Sequence, residues 1–389
     1  MNMKKLATTF WLLLASCPLR AIGDEPSALD KLLPVRGFCI AAPSPEGLDE
    51  FVGFIENELA PRSINTLILR VDYGYQYTSR PELSSPGGLS RADAGKLAAA
   101  CKKHGIRLIP QVNLLGHQSW ANHVGRLLQV HPEFDETPWV KMPEKPPSWP
   151  NPDRLYCKSY CPLHPEVHDV VFALMDEICD AFEADAFHAG LDEVFYIGED
   201  ECPRCGGKDK AELFAGEVAR IRDRLALKGR RMWMWGDRLL DGETTGLGEW
   251  EASTNDTHRA VDLIPKDVVI CDWHYNRAEP TAAYFALKGF DVVTCPWKNG
   301  DAAVIQLQDV LNLRDRASKA TRKRALGMVQ TVWTSADRFL DQLKGGRPDR
   351  EGRGDQRPDR TESQCFKTLY EAVGKLKTDS PAATGEEKP

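Results

Sequence analysis

The chain has 389 residues, 42% hydrophobic and 28% charged, which is enough apolar content for one large core or two ordinary ones and too much for a disordered polymer. A formal net charge of −7 argues against nucleic acid or an anionic membrane surface as the main partner and favours a neutral substrate.

Residues 1–22 read as an export signal. Lys4 and Lys5 precede the apolar run LATTFWLLLAS, which has the length of a signal h-region and is too short for a permanent membrane span. The tetrapeptide LASC, ending at Cys17, resembles a bacterial lipoprotein cleavage box and would leave Cys17 lipidated; cleavage near Ala21 is the competing reading. The expectation is an exported protein, periplasmic, anchored to the outer membrane or secreted, with membrane contact only through such an anchor.

After the signal, short runs rich in Val, Ile, Leu and aromatics alternate with helical patterns, the rhythm of parallel βα units. Eight strands are expected, at about 35–41, 66–72, 106–112, 185–190, 231–235, 267–272, 290–295 and 326–333. The clearest helix is Pro165 to Phe182, where Val167, Val170, Val171, Leu174, Met175, Ile178 and Phe182 recur on one face. Helices are also expected over Leu48–Leu59, Ala92–His104 and Lys210–Leu227, the last two followed by a glycine suited to a C-cap. Eight such units predict an α/β fold, a (β/α)₈ TIM barrel forming a single catalytic domain over residues 30–342. A Pro-rich interruption after the third strand cannot be regular helix and belongs to the active face, which such loops build. Residues 343–363, charged and glycine-rich, read as a disordered linker, followed by a short helix at 364–377 and a disordered tail at 378–389.

The run DAFHAGLDEVF carries the most specific signal. Strand alternation puts Ala186, His188, Gly190 and Asp192 on one face and Phe187, Ala189 and Leu191 on the other. With the small and polar set inward, His188 points to the barrel axis, Asp192 arrives at the C-terminal mouth, and Glu193 follows as the chain turns. Other strand ends accumulate polar and aromatic groups: His117 after the third, Trp233, Trp235 and Asp237 at the fifth, Asp272, Trp273, His274 and Tyr275 at the sixth, and Trp333 at the eighth. Aromatic faces stack on the C–H surfaces of sugar rings while acids, imidazoles and amides meet hydroxyls, so the mixture fits a carbohydrate site.

FHAGLDEV resembles the His-x-Gly-Gly-Asp-Glu signature of the family 20 glycoside hydrolases, the β-N-acetylhexosaminidases, and GIRLIPQVNLLGH resembles their third-strand motif. The resemblance implies a retaining mechanism in which the substrate's own 2-acetamido oxygen attacks the anomeric carbon to give an oxazolinium intermediate. It implies Glu193 as general acid and then base, Asp192 as the group that orients the acetamide, His117 and His188 as the family's histidines, Tyr275 as a second donor to the acetamide, and Trp235, Trp273 and Trp333 as walls. With Asn113, Asp237 and Asp72 these make the candidate substrate contacts. The substrate would be an oligosaccharide or glycoconjugate, and no cofactor is required.

Several positions depart from the family pattern. Gln111 and Asn113 replace acids, Leu191 replaces a glycine, Pro43 and Ser44 stand near the place of a sugar-binding arginine, and TVWTSAD lacks the glutamate after its tryptophan. Arg70, Asp72, Tyr73 and Tyr75 are candidate replacement contacts. The departures leave two alternatives beside the hexosaminidase: a carbohydrate-binding barrel without turnover, and a glycosidase for a different sugar. Among 11 cysteines, two close pairs stand out, Cys157 with Cys161 and Cys202 with Cys205. They are open to disulfides, local or crossed, to a four-thiolate structural zinc site, or to free thiols.

Overall fold

Each of the eight apolar runs forms a strand: β1 Val35–Ala41, β2 Thr66–Arg70, β3 Arg107–Leu114, β4 Ala186–Gly190, β5 Arg231–Trp235, β6 Val269–Trp273, β7 Asp291–Cys295 and β8 Ala325–Thr331. The computed structural model describes residues 26–145, 157–346 and 360–378. The export signal with Cys17, the middle of the expected linker and the tail from 379 lie outside the described residues. All neighbouring barrel strands are parallel, and the ring closes in chain order with β8 paired to β1. Strands covered on both faces read as continuous apolar runs, which is why their existence is plain in the sequence.

Period two sorts the side chains into an interior and an outer layer. Ile68, Ile109, Ala186, Trp233, Trp235, Val269 and Val293 pack in one cluster, the filling of the barrel. Phe187, Ala189 and Leu191 pack in the larger cluster with the helices. The outer layer includes α1 Leu48–Phe54, α2 Arg91–Lys103, α3 Val167–Ala181, α4 Lys210–Ala226, α5 Thr281–Leu287, α6 Gly300–Arg316 and α7 Ala336–Leu343. Ser90 caps α2 in a capping box with Asp93, and Asp209 caps α4, so these boundaries follow from local chemistry. Expected as one helix to Leu59, α1 instead widens into a π turn over Ile55–Leu59. No helix among the described residues is long and apolar enough to cross a membrane.

The last helix, α8, spans Glu362–Thr378 and starts two residues before the expected position. The linker reading therefore fails at its C-terminal end, because Glu362 is buried and bonded. Its Oε1 accepts from Trp297 Nε1 at 2.6 Å and from the Trp333 backbone N–H at 2.8 Å, and its Oε2 accepts from Thr334 Oγ1 at 2.6 Å. Phe366 enters an aromatic cluster with Phe38, Phe54 and Phe339 at centroid separations of 5.3–6.0 Å, and the Tyr370 hydroxyl donates to the Gly37 carbonyl. These contacts hold α8 across β1 and β8, where it braces the strand ends that carry Trp297 and Trp333.

Candidate active site

Past Gly190 the chain leaves strand geometry. Gly190, Leu191 and Glu193 have φ of +70°, +67° and +49°, the left-handed region that side chains disfavour. Only glycine fits at 190, since a Cβ there would stand 2.2 Å from Asn113 Oδ1. Successive side chains of a straight strand face opposite ways; here the bend turns two successive carboxylates toward one imidazole. His117 Nε2 lies 3.0 Å from Asp192 Oδ2 and 3.2 Å from Glu193 Oε2.

His117 is itself on a left-handed backbone, φ +54°, after Leu115 at +61°. Gln118 fixes this turn by donating to the carbonyls of Asn113 (3.0 Å) and Gly116 (2.8 Å), while its own oxygen accepts from Tyr73. The imidazole stacks on Trp120 at 5.8 Å. Burial alone would lower its pKa, but the Asp192 charge and hydrogen bond outweigh that and hold it well above 6.5. His117 is therefore an imidazolium beside two carboxyl groups. Cys157 completes the cluster, its sulfur 3.3 Å from Glu193 Oε2 and 3.7 Å from His117 Nδ1. Burial pushes this thiol up, so it stays protonated and donates to Glu193.

Beneath the pair, His188 is fully buried and packs against Trp235 at 4.4 Å. Burial lowers its pKa to about 3, so the ring is neutral. Its Nδ1 accepts from the Gly190 N–H at 3.1 Å, which leaves the proton on Nε2. That nitrogen, Trp235 Nε1, Gln111 Oε1, Asp192 Oδ1 and Arg70 Nε are buried without hydrogen-bond partners among the described residues. Along the far wall Trp273 stacks on Tyr275 at 4.9 Å, the Tyr275 hydroxyl accepts from Trp333 Nε1 at 2.9 Å, and the Arg70 guanidinium covers the Trp333 ring at 4.7 Å. Two hollows of about 660 and 470 Å³ lie elsewhere, one against the N-terminal segment around Arg36 and one beside α5 and α6. The two carboxylates are themselves mostly buried, with side-chain exposures of 11% and 14%.

The description "Glycosyl hydrolase family 20, catalytic domain" matches residues 69–336, well over half of the chain. The chain belongs to glycosyl hydrolase family 20. Its barrel resembles solved structures of the family. A chitobiase from Flavobacterium johnsoniae aligns with a TM-score of 0.57 and 16% identity, covering 88% of this chain and 51% of that one. A β-N-acetylhexosaminidase from Bacteroides fragilis gives 0.54 and 18% over 88% and 66%, and a further β-N-acetylhexosaminidase gives 0.59 and 15% over 88% and 76%. This chain thus spans half to two thirds of the length of the first two. No curated protein matches it in sequence.

Within this family 20 domain two sequence expectations need correction. Asp237 is a positioning group and not a sugar contact, because it is buried and both of its oxygens are bonded within the protein. Oδ2 accepts from the Glu193 N–H (2.9 Å) and Arg238 Nε (2.7 Å), and Oδ1 accepts from Trp273 Nε1 (3.2 Å). Arg238, fully buried, donates onward to the carbonyls of Glu249, Trp250 and Ala252. Asp72 turns Oδ1 to the Asn113 N–H at 2.8 Å and stays half-buried, and Asn113 accepts from Gln111 at 3.0 Å. Of the readings left open for the cysteine pairs the local disulfide fails: all ten described cysteines are free. Residues 157–161 bond alternately to neighbouring chain on two sides, and four residues of extended chain span roughly 13 Å, too far for a local bridge. Cys157 goes to the carboxylates and Cys161 goes elsewhere.

Asp237→Ala would strand the buried Arg238 charge and free the Glu193 backbone. Its unfolding free energy in urea is expected to drop by about 3–5 kcal/mol. His188 and His274 give stability opposite pH limbs, and His117, also held above 6.5, adds to the alkaline one. Between about 3 and 6.5 the unfolded chain protonates His188 and the folded chain does not, so stability falls as pH drops. His274 is buried between Glu251 (2.7 Å) and Asp272 (3.2 Å). Burial lowers its pKa, but those carboxylates overcome this and raise it to about 10. From 6.5 to about 10 the folded chain keeps a proton that the unfolded chain releases, and stability falls as pH rises. Unfolding free energies measured across pH should peak near 6.5, and His274→Gln should flatten the alkaline limb.

Proposed function

We propose that this glycosidase removes terminal β-linked N-acetylhexosamine with retention, through an oxazolinium intermediate formed by the substrate's acetamide, and that its N-terminal segment exports it. The observation that carries the reading is the convergence of Asp192 and Glu193 on the single His117 nitrogen. Asp192, the nearer of the two to that nitrogen, is suited to orient the acetamide and to balance positive charge growing on the acetamide nitrogen. Glu193 is then the carboxyl left to hold the mobile proton. It donates that proton to the departing oxygen as the acetamide oxygen attacks the anomeric carbon, and it takes a proton from the water that opens the ring.

The unpartnered polar atoms support a hydroxylated ligand. Two buried N–H groups, on His188 and Trp235, and two acceptors, on Gln111 and Asp192, are left for a substrate to satisfy. Arg70 brings a guanidinium to the rim, in place of the arginine that the family pattern puts near Pro43 and Ser44, and Tyr275 with Trp273 offers a flat apolar wall.

The test is hydrolysis of chromogenic β-N-acetylglucosaminide and galactosaminide. The wild-type chain should release the dye and be inhibited by a thiazoline mimic of the cyclised intermediate, and Glu193→Gln should lower kcat by roughly 10²–10⁴. Sugar binding without hydrolysis would favour a non-catalytic barrel, and hydrolysis insensitive to the thiazoline would favour a different sugar.

A further inference from the structure

The loops that follow β3 and β4 meet again away from the carboxylate pair. Glu136 and Cys161 from the first loop and Cys202 and Cys205 from the second are all buried, with one ligand atom from each within 4.8 Å of every other. The sulfurs of Cys161 and Cys202 are 3.6 Å apart, and Cys205 Sγ stands 2.8 and 3.0 Å from the two oxygens of Glu136. Glu136 is wholly excluded from solvent and, among the described residues, has no Lys, Arg or His ion-pair partner; the Glu199 N–H and the Cys205 thiol are its donors. An ionised carboxylate in that setting costs several kcal/mol.

The backbone around the sulfurs is arranged for negative charge. The N–H groups of Arg204 and Cys205 face the Cys202 sulfur, and that of Leu163 faces Cys161. The Cys-Pro-Arg-Cys-Gly-Gly turn that aims them closes with the Gly206 N–H on the Cys202 carbonyl at 3.0 Å. A Cβ at Gly206 would come within 2.5 Å of the Asp200 carbonyl oxygen, so the tight turn needs glycine. Around an ion with bonds of about 2.3 Å to sulfur, a tetrahedral edge is about 3.8 Å, close to the observed sulfur separation, whereas a disulfide needs about 2.05 Å.

We propose that Glu136, Cys161, Cys202 and Cys205 bind a structural Zn²⁺ ion. Binding exchanges three thiol protons, released to solvent, for three metal–sulfur bonds, and gives the Glu136 carboxylate its missing counter-charge. The ion ties together the two loops that build the active face. Cys161 lies four residues beyond Cys157, the donor to Glu193, and Glu199, whose N–H holds Glu136, lies six beyond Glu193.

The full chain, purified reduced and without added metal, should contain about one zinc per molecule by elemental analysis. Co²⁺ exchanged into it should give the visible bands of a tetrahedral thiolate site. Cys161→Ser and Cys205→Ser should lose the zinc and the cobalt bands, while Cys101→Ser, a buried cysteine outside the cluster, should keep both. Chelation should lower the thermal midpoint of the wild type, an effect independent of turnover and of variant folding. Absence of zinc after incubation of the folded reduced chain with Zn²⁺, cobalt spectra unchanged by both serine variants, or a Cys161–Cys202 disulfide in the metal-free native chain would each overturn the proposal.

Discussion

The site rests on one local departure from β geometry. A strand that continued straight past Gly190 would send Asp192 and Glu193 to opposite sides of the sheet, one toward the barrel mouth and one toward the helices. Left-handed backbone at residues 190, 191 and 193 prevents this. For leucine and glutamate that conformation costs roughly 1–2 kcal/mol each. It persists because the surroundings determine it: Leu191 is completely buried in the outer core, and Asp237, fixed by Arg238, grips the Glu193 N–H. Strain at the carboxylates is thus offset by an ion pair one strand away and by the loop carbonyls to which Arg238 is bonded.

Electrostatics completes what the bend begins. The two acids are mostly buried, and His117 stands between them as a cation. A second histidine, His188, is held neutral by burial alone. The same side-chain type therefore serves as counter-ion at one level of the barrel and as neutral donor at the next, and the difference is set by the presence or absence of an adjacent acid.

Much of this was legible in the residues. Eight apolar runs marked eight strands because strands buried on both faces show little else, and alternation along DAFHAGLDEV correctly sent His188 inward and Phe187 outward. Three features were not legible. Asp237 looks like a rim acid in RMWMWGDRL, and nothing local says that its neighbour Arg238 will be buried and claim it. Cys157 shares a short motif with Cys161, yet extended backbone carries the two thiols to different sites. Glu362 sits in a stretch whose composition reads as linker, and the sole hint is the apolar spacing of Cys365, Phe366, Leu369, Tyr370 and Val373 just after it, which signals a docked helix face. In each case the outcome is set by tertiary contacts that periodicity does not reach.

The most direct test of the account is the protonation state of His117, observed by ¹⁵N NMR of the labelled ring. At about pH 8, above the ordinary histidine range, the wild-type ring should still carry protons on both nitrogens, and in Asp192→Asn its titration should move down toward 6.5. A His117 that titrates near 6.5 in the wild type, or that ignores the loss of the Asp192 charge, would mean that the two carboxylates do not share it.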